Sequence, residues 1–179
     1  MSRYKVARRN AELLKNGCVV IDFETTGLNG PDVEIVEVAI LNYDGEILLD
    51  TLLKPVRSIP LEVSRIHGIT DEDVVDAPRF LDVYPKLMRH LIGQPVVAYN
   101  YSFEQSILNT VTGRYGLNIR VNPWVCAMRD YKAFRGFRNF AKLSTACKNE
   151  GITVENAHRA LADCKMTLAL MHKMAQSAR

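Results

Sequence analysis

Apolar and polar positions repeat along the chain with two periods, and the changes of period mark the elements. Residues 3–15 mix Val6, Ala7, Ala11, Leu13 and Leu14 with Arg3, Lys5, Arg8, Arg9 and Lys15, which predicts a basic helix packed by its apolar side. Asn16-Gly17 stops it. An apolar run over 18–21 predicts a first strand that reaches residue 24. Runs over 34–41 and 47–53 predict two more, joined by a turn at Asp44-Gly45, so that the first three strands are consecutive antiparallel neighbours. Residues 55–69, with Pro55 and Pro60, read as a connector. Thr70-Asp71-Glu72-Asp73 has the pattern of a capped helix start. Phe80, Val83, Tyr84, Leu87, Met88 and Leu91 form the stripe of a helix over 79–92. A short buried strand is expected at 96–99, with Asn100 capping the helix that follows. A last helix is expected over 159–175, with Leu161, Cys164, Leu168 and Met171 in one stripe.

The stretch between, residues 114–148, shows neither period clearly and reads as irregular. It is basic and aromatic: Arg120, Arg135, Arg138 and Lys142 alternate with Trp124, Tyr131, Phe134, Phe137 and Phe140. Cations interleaved with rings suit the phosphates and bases of a single-stranded nucleic acid. Phe137 and Phe140 are expected in the core. The net charge of +3 and pI of about 8.7 lean the same way, mildly.

At 179 residues and 47% apolar, the chain has enough for one core. The expected division is a basic helix over 1–17 and a single domain over 18–179. No apolar run is long enough to span a bilayer and no secretory pattern opens the chain, so no membrane partner and a cytoplasmic location are expected. Four scattered cysteines, Cys18, Cys126, Cys147 and Cys164, read as reduced thiols and not as a zinc site.

The chemistry lies in the acids. Asp22 and Glu24 are two apart on a predicted strand and so share a face, just before the turn Thr25-Thr26-Gly27. Glu104 is in the first turn of a helix entered from a second buried strand, and Asp163 lies on an apolar helix face with His158 upstream. A carboxylate on such a face has to be paired or metal-bound. Oxygen ligands from several elements suit two Mg²⁺ or Mn²⁺ ions clamping a phosphodiester, with His158 as base for an attacking water.

These residues resemble a known family. Asp22-Phe23-Glu24-Thr25-Thr26-Gly27 looks like the first motif of the DEDD superfamily of 3′→5′ exonucleases. Asn100-Tyr101-Ser102-Phe103-Glu104 resembles the second, and His158-Arg159-Ala160-Leu161-Ala162-Asp163 the third in its histidine version. The residues 66–71 resemble a loop of the proofreading members. The resemblance implies an α/β, ribonuclease H-like fold, a mixed five-stranded sheet with helices on both faces. It implies 3′→5′ hydrolysis to nucleoside monophosphates, with Asp22, Glu24, Glu104 and Asp163 holding two ions and His158 as general base. It places Thr25, Thr26, Gly27, Leu28, His67, Asn100 and Phe103 at the nucleic acid. Glu104 departs from the family, whose second motif ends in Asp. DNA is expected over RNA as partner. An RNA-trimming enzyme and a non-catalytic polymerase-accessory module are the alternatives, and oligomeric state is left open.

Overall fold

The computed structural model describes residues 1–117 and 123–178. A helix α1 (Arg3–Asn16) leads into β1 (Val19–Thr25), followed by β2 (Ile35–Asn42) and β3 (Ile47–Leu52). A short helix α2 (Leu61–His67) and a longer α3 (Phe80–Leu91) precede β4 (Val96–Ala98), α4 (Tyr101–Arg114) and β5 (Trp124–Cys126). Three helices close the chain: α5 (Ala127–Arg135), α6 (Leu143–Asn149) and α7 (Ala160–Ala175).

The five strands form one mixed sheet in the order β3-β2-β1-β4-β5. β1 pairs antiparallel with β2, and β2 with β3. β1 pairs parallel with β4, and β4 with β5. β1 is therefore central, with both neighbours present, and its side chains alternate between two cores. Val19, Ile21 and Phe23 join Val38 and Ile40 of β2 under α3 and α4. Val20, with Ala39 and Leu41 of β2, packs on the other face under α1, α5 and α7. Asp22 and Glu24 continue that second face toward the end of the strand. Helices thus cover both faces, as expected.

Two stretches differ from their sequence reading. The connector contains α2, whose Leu61 and Ile66 stay exposed, so no apolar stripe announces it. The capped start at residue 70 is real as hydrogen bonding, since Asp73 accepts from both the Thr70 amide and hydroxyl. No helix follows, because Ile69 and Val74 are drawn into a small cluster with Val36 and Ile59 and the chain turns over it.

The segment 114–148 is also more regular than its composition suggests. It holds β5, α5 and α6. Ala127, Asp130, Tyr131 and Phe134 are buried at helical spacing, a stripe hidden by the intervening cations. Tyr131 and Phe134 are core, whereas Phe137 and Phe140 are 40% and 53% exposed, the reverse of their expectation. Arg120 lies outside the described residues.

The N-terminal helix packs on α5 and α7 through Val6, Ala7 and Asn10. A polar clamp adds to this. Asp130 of α5 is buried, and its carboxylate accepts from the Arg9 guanidinium and from Asn10 Nδ2 at 3.3 Å. Removing this acceptor leaves one N–H of the buried Asn10 amide unpaired, the other still donating to the Val6 carbonyl at 3.0 Å, while Arg9 can turn to water. Asp130→Ala is expected to destabilise the protein by about 1–3 kcal/mol, read as a lowered urea midpoint with an unchanged slope. An unchanged midpoint would show that α1 docks by apolar contact alone.

Candidate active site

The acid cluster forms where β1 runs out. Asp22 and Glu24 stand opposite Ala39 and Glu37 of β2, and the ladder shifts register between Glu24 and Thr25. That irregularity ends the pairing and frees the strand end to open into a turn. The turn is pinned by Thr26, whose hydroxyl accepts from the Glu34 amide at 2.9 Å while its own amide donates to the Glu34 carbonyl at 2.9 Å. The Thr25 hydroxyl donates to the Gly27 carbonyl at 2.6 Å.

Asp163 arrives from the first turn of α7, which lies across the same sheet face. Asp22, Glu24 and Asp163 each offer an oxygen, all within 4.8 Å of one another. Glu104, from the first turn of α4, lines the same cavity and is 4% exposed, with Oε2 buried and, among the described residues, without a hydrogen-bond partner. Four carboxylates from three elements therefore converge, as the spacing of the motifs predicts. Among the described residues none of the four has a salt-bridge partner.

The electrostatics follow from this crowding. Burial, then the charges of Glu104, Asp163 and Glu24, push the Asp22 carboxyl well above its usual range. Burial first, and then Asp163 and Glu37, raise Glu24 to about 8, against the opposing pull of Arg159. Burial raises Glu104 to about 8, with Glu24 and Asp163 adding to it. Burial raises Asp163 as well, opposed by the backbone amide of His158. Each group resists ionising beside the others. A cation among them removes that resistance, and an all-oxygen donor set fits hard divalent ions.

His158 is on the loop before α7, exposed, with a left-handed backbone at φ 66°. Its amide donates to Asp163 Oδ1 at 3.4 Å. A non-glycine residue held there stores about 1–3 kcal/mol of strain, which persists only where the surroundings over-determine it. Histidine and asparagine are among the residues that tolerate the region best, and Asn156 nearby shares it at φ 49°.

Around the acids lies a cavity of about 290 Å³, lined on its apolar side by Leu28, Val63, Ile66 and Phe103. Thr25, Gly27, His67 and His158 border it too. His67 is buried. Its Nδ1 accepts from the Ile69 amide at 3.0 Å, which assigns the ring proton of the neutral form to Nε2. Burial lowers its pKa and so favours that neutral form. Among the described residues Nε2 has no hydrogen-bond partner, leaving a buried donor at the cavity wall. Asn100 does not line this cavity. It borders a neighbouring groove of about 520 Å³ with Met128, Phe140 and Lys142, and the two spaces meet at His158 and Asp163. Of the cations in the basic segment, Arg135 is committed to Glu150 at 2.6 Å, and Lys132 lies over the Phe140 ring at 4.6 Å.

Glu37 was not among the residues expected here. It is an acid in a strand otherwise apolar from Ile35 to Leu41, and that interruption was its signal in the sequence. Its carboxylate is 3% exposed and takes both Arg159 Nε, at 3.0 Å, and a terminal Arg159 nitrogen, at 2.6 Å. It also accepts from the Ala160 amide at 2.8 Å.

Comparison with known proteins agrees with this geometry. The exonuclease family model RNase_T matches residues 19–171. The chain is 37% identical over 184 residues to uncharacterized exonuclease CP81 of Escherichia phage 186, covering 96% of this chain and 94% of that protein. It is 30% identical over 160 residues to DNA polymerase III subunit epsilon of Treponema pallidum (strain Nichols), covering 86% and 74%. Among solved structures, Exonuclease X in complex with 5′ overhanging duplex DNA is similar at 30% identity and a TM-score of 0.68, covering 90% of this chain and 93% of that one. The nuclease domain of 3′hExo, a DEDDh family member bound to rAMP, shares the fold at 22% identity and a TM-score of 0.74, covering 90% and 92%. A central strand ending in paired acids, completed by acids from two helices, is thus set in a chain that belongs to the RNase_T exonuclease family.

Proposed function

We propose that the protein is a 3′→5′ exonuclease that uses two divalent cations, Mg²⁺ or Mn²⁺, to release nucleoside monophosphates from 3′ ends of DNA. The observation that carries this is the set of four converging carboxylates left without a salt-bridge partner among the described residues, beside a cavity with an apolar wall. Asp22, Glu24, Glu104 and Asp163 hold the ions, which supply charge to polarise the scissile phosphate and make water a stronger acid. His158 takes the proton from the attacking water. Leu28, Ile66 and Phe103 cover the terminal base, and His67 Nε2 donates a hydrogen bond to the terminal nucleotide. Thr25 and Gly27 border that nucleotide, while Thr26 acts through the turn it pins. The second groove, with Asn100, Phe140 and Lys142, takes the next nucleotides of the strand.

Two relatives support DNA as the substrate: a polymerase subunit by sequence, and Exonuclease X, solved with duplex DNA at 30% identity. The rAMP complex keeps RNA as the second reading, on fold alone. An end-labelled ladder distinguishes them. The chain should shorten a 5′-labelled DNA strand stepwise in Mg²⁺ or Mn²⁺, faster than RNA of the same sequence, and EDTA should abolish both reactions. Mn²⁺ should also raise the thermal midpoint by mass action on the folded state. Undiminished cleavage in EDTA, or a ladder that grows from the labelled end, would sink the proposal.

Glu104 is longer than the family residue by one methylene. Charge, not length, is expected to govern its role, because it shares a site with three other acids. Glu104→Asp should keep substantial single-turnover activity with a changed Mg²⁺ to Mn²⁺ preference. Glu104→Gln should lose much more under both metals. Equal activity of Glu104→Gln and the wild type would leave Glu104 outside the ion site.

Gly27 offers a cleaner probe of the cavity. Its φ is not left-handed, and an added Cβ would meet no atom within 4 Å. Gly27→Ala should therefore fold with an unchanged midpoint, yet put a methyl into the space assigned to the terminal nucleotide. The expected result is weaker strand binding, by about tenfold for a misfit of 1–2 kcal/mol. Unaltered binding would move the terminal nucleotide away from the turn.

A further inference from the structure

We infer that Glu37 and Arg159 form a clamp that positions His158 for proton transfer while touching neither the strand nor the ions. The inference rests on the exonuclease reading and adds two residues to it. It starts from a conflict in the sheet. Glu24 and Glu37 stand directly opposite each other in the β1–β2 ladder, on the same face. Like charges so placed repel. Arg159 resolves the conflict from one side only: its guanidinium spans both Glu37 oxygens, at 3.0 and 3.2 Å from Nε, while Glu24 makes no salt bridge among the described residues. One acid of the pair is thereby made structural and the other kept for ions.

The same bond fixes the backbone next to His158. Glu37 also accepts from the amide of Ala160, the first residue of α7, and so caps that helix from a different element. Arg159 is held by its side chain and Ala160 by its amide, which leaves His158 as the last residue before a fixed point. His158 needs such an anchor more than Asp163 does. Asp163 sits on a helix with its own buried stripe, Cys164, Thr167, Leu168 and Met171. His158 is exposed, left-handed, and tied by one long hydrogen bond of 3.4 Å. A two-pronged arginine fork fixes direction as well as distance, which a lysine cannot do.

Arg159 is about half exposed and also borders a groove of about 630 Å³ behind α7, so a direct phosphate contact is the competing role. The test uses the full chain with Mn²⁺ and saturating labelled strand in single-turnover mode. Arg159→Ala should lower the hydrolysis rate by about 10–100-fold, the range for a small misplacement of a catalytic group, with strand affinity unchanged. In a His158→Ala background the same change should lower the rate by less than about twofold, because the positioned group is gone. Arg159→Lys should recover only part of the loss. Equal losses in both backgrounds overturn the inference. So does weaker binding with a salt slope flattened by about one unit, which would make Arg159 a phosphate contact. Amide exchange at Ala160 needs no substrate and separates the clamp from the exonuclease reading. Exchange faster by about tenfold or more in Arg159→Ala supports the clamp even if the wild type cleaves nothing. Unchanged exchange overturns it.

Discussion

Mutual repulsion of carboxylates is the constraint around which this fold is arranged. Folding an apolar core favours taking the end of β1 out of water, yet that end carries Asp22 and Glu24, and α4 and α7 add Glu104 and Asp163. Burial raises the pKa of all four, and neighbouring acids raise Asp22, Glu24 and Glu104 further. The sheet tolerates this because the start of β1 is buried on both sides, paired with β2 along the strand and with β4 at Val19 and Val20. Rigidity is what lets the strand end present charge. A looser strand would splay the acids apart and relieve the repulsion without any ion.

The two faces of the sheet divide the remaining work. The face under α3 and α4 is closed by apolar residues, and only Glu104 comes from that side, at the start of α4. The other face carries α7, and with it Asp163 and His158. The acids thus meet around the strand end and not within either layer. Open space is found in the same place, where the cavity around Asp22 joins the groove beside Phe140 and Lys142. A polymer entering one space and ending in the other passes His158 and Asp163, which suits removal of units from an end.

Much of this was legible in the chain. Long elements with strong periods came through, as did the hairpin at Asp44-Gly45 and the three acidic motifs, because each rests on local spacing. The losses were of three physical kinds. Short elements such as α2 and β5 have too few residues to show a period. Phe137 and Phe140 sit at helical spacing, but α5 ends at Arg135 with Gly136 as its left-handed cap, so spacing carries no meaning beyond it. Glu37 was missed for a different reason. A lone acid in apolar β2 was visible, but its partner Arg159 is 122 residues away, and that pairing leaves no local pattern. Arg135, grouped by composition with phosphate binders, is spent on Glu150 for the same reason.

The left-handed backbone of His158 has an evolutionary side. A glycine there would adopt the same φ without strain, so under the proposed role of His158 stability and catalysis would pull on this position in opposite directions. With the proposed role of His158 as base, selection for turnover would keep the imidazole and its strain. A lineage that bound nucleic acid without cutting it would gain stability by drifting to glycine or asparagine at this one site. The residue found at this position in related chains is therefore a record of which pressure has prevailed, readable without an assay.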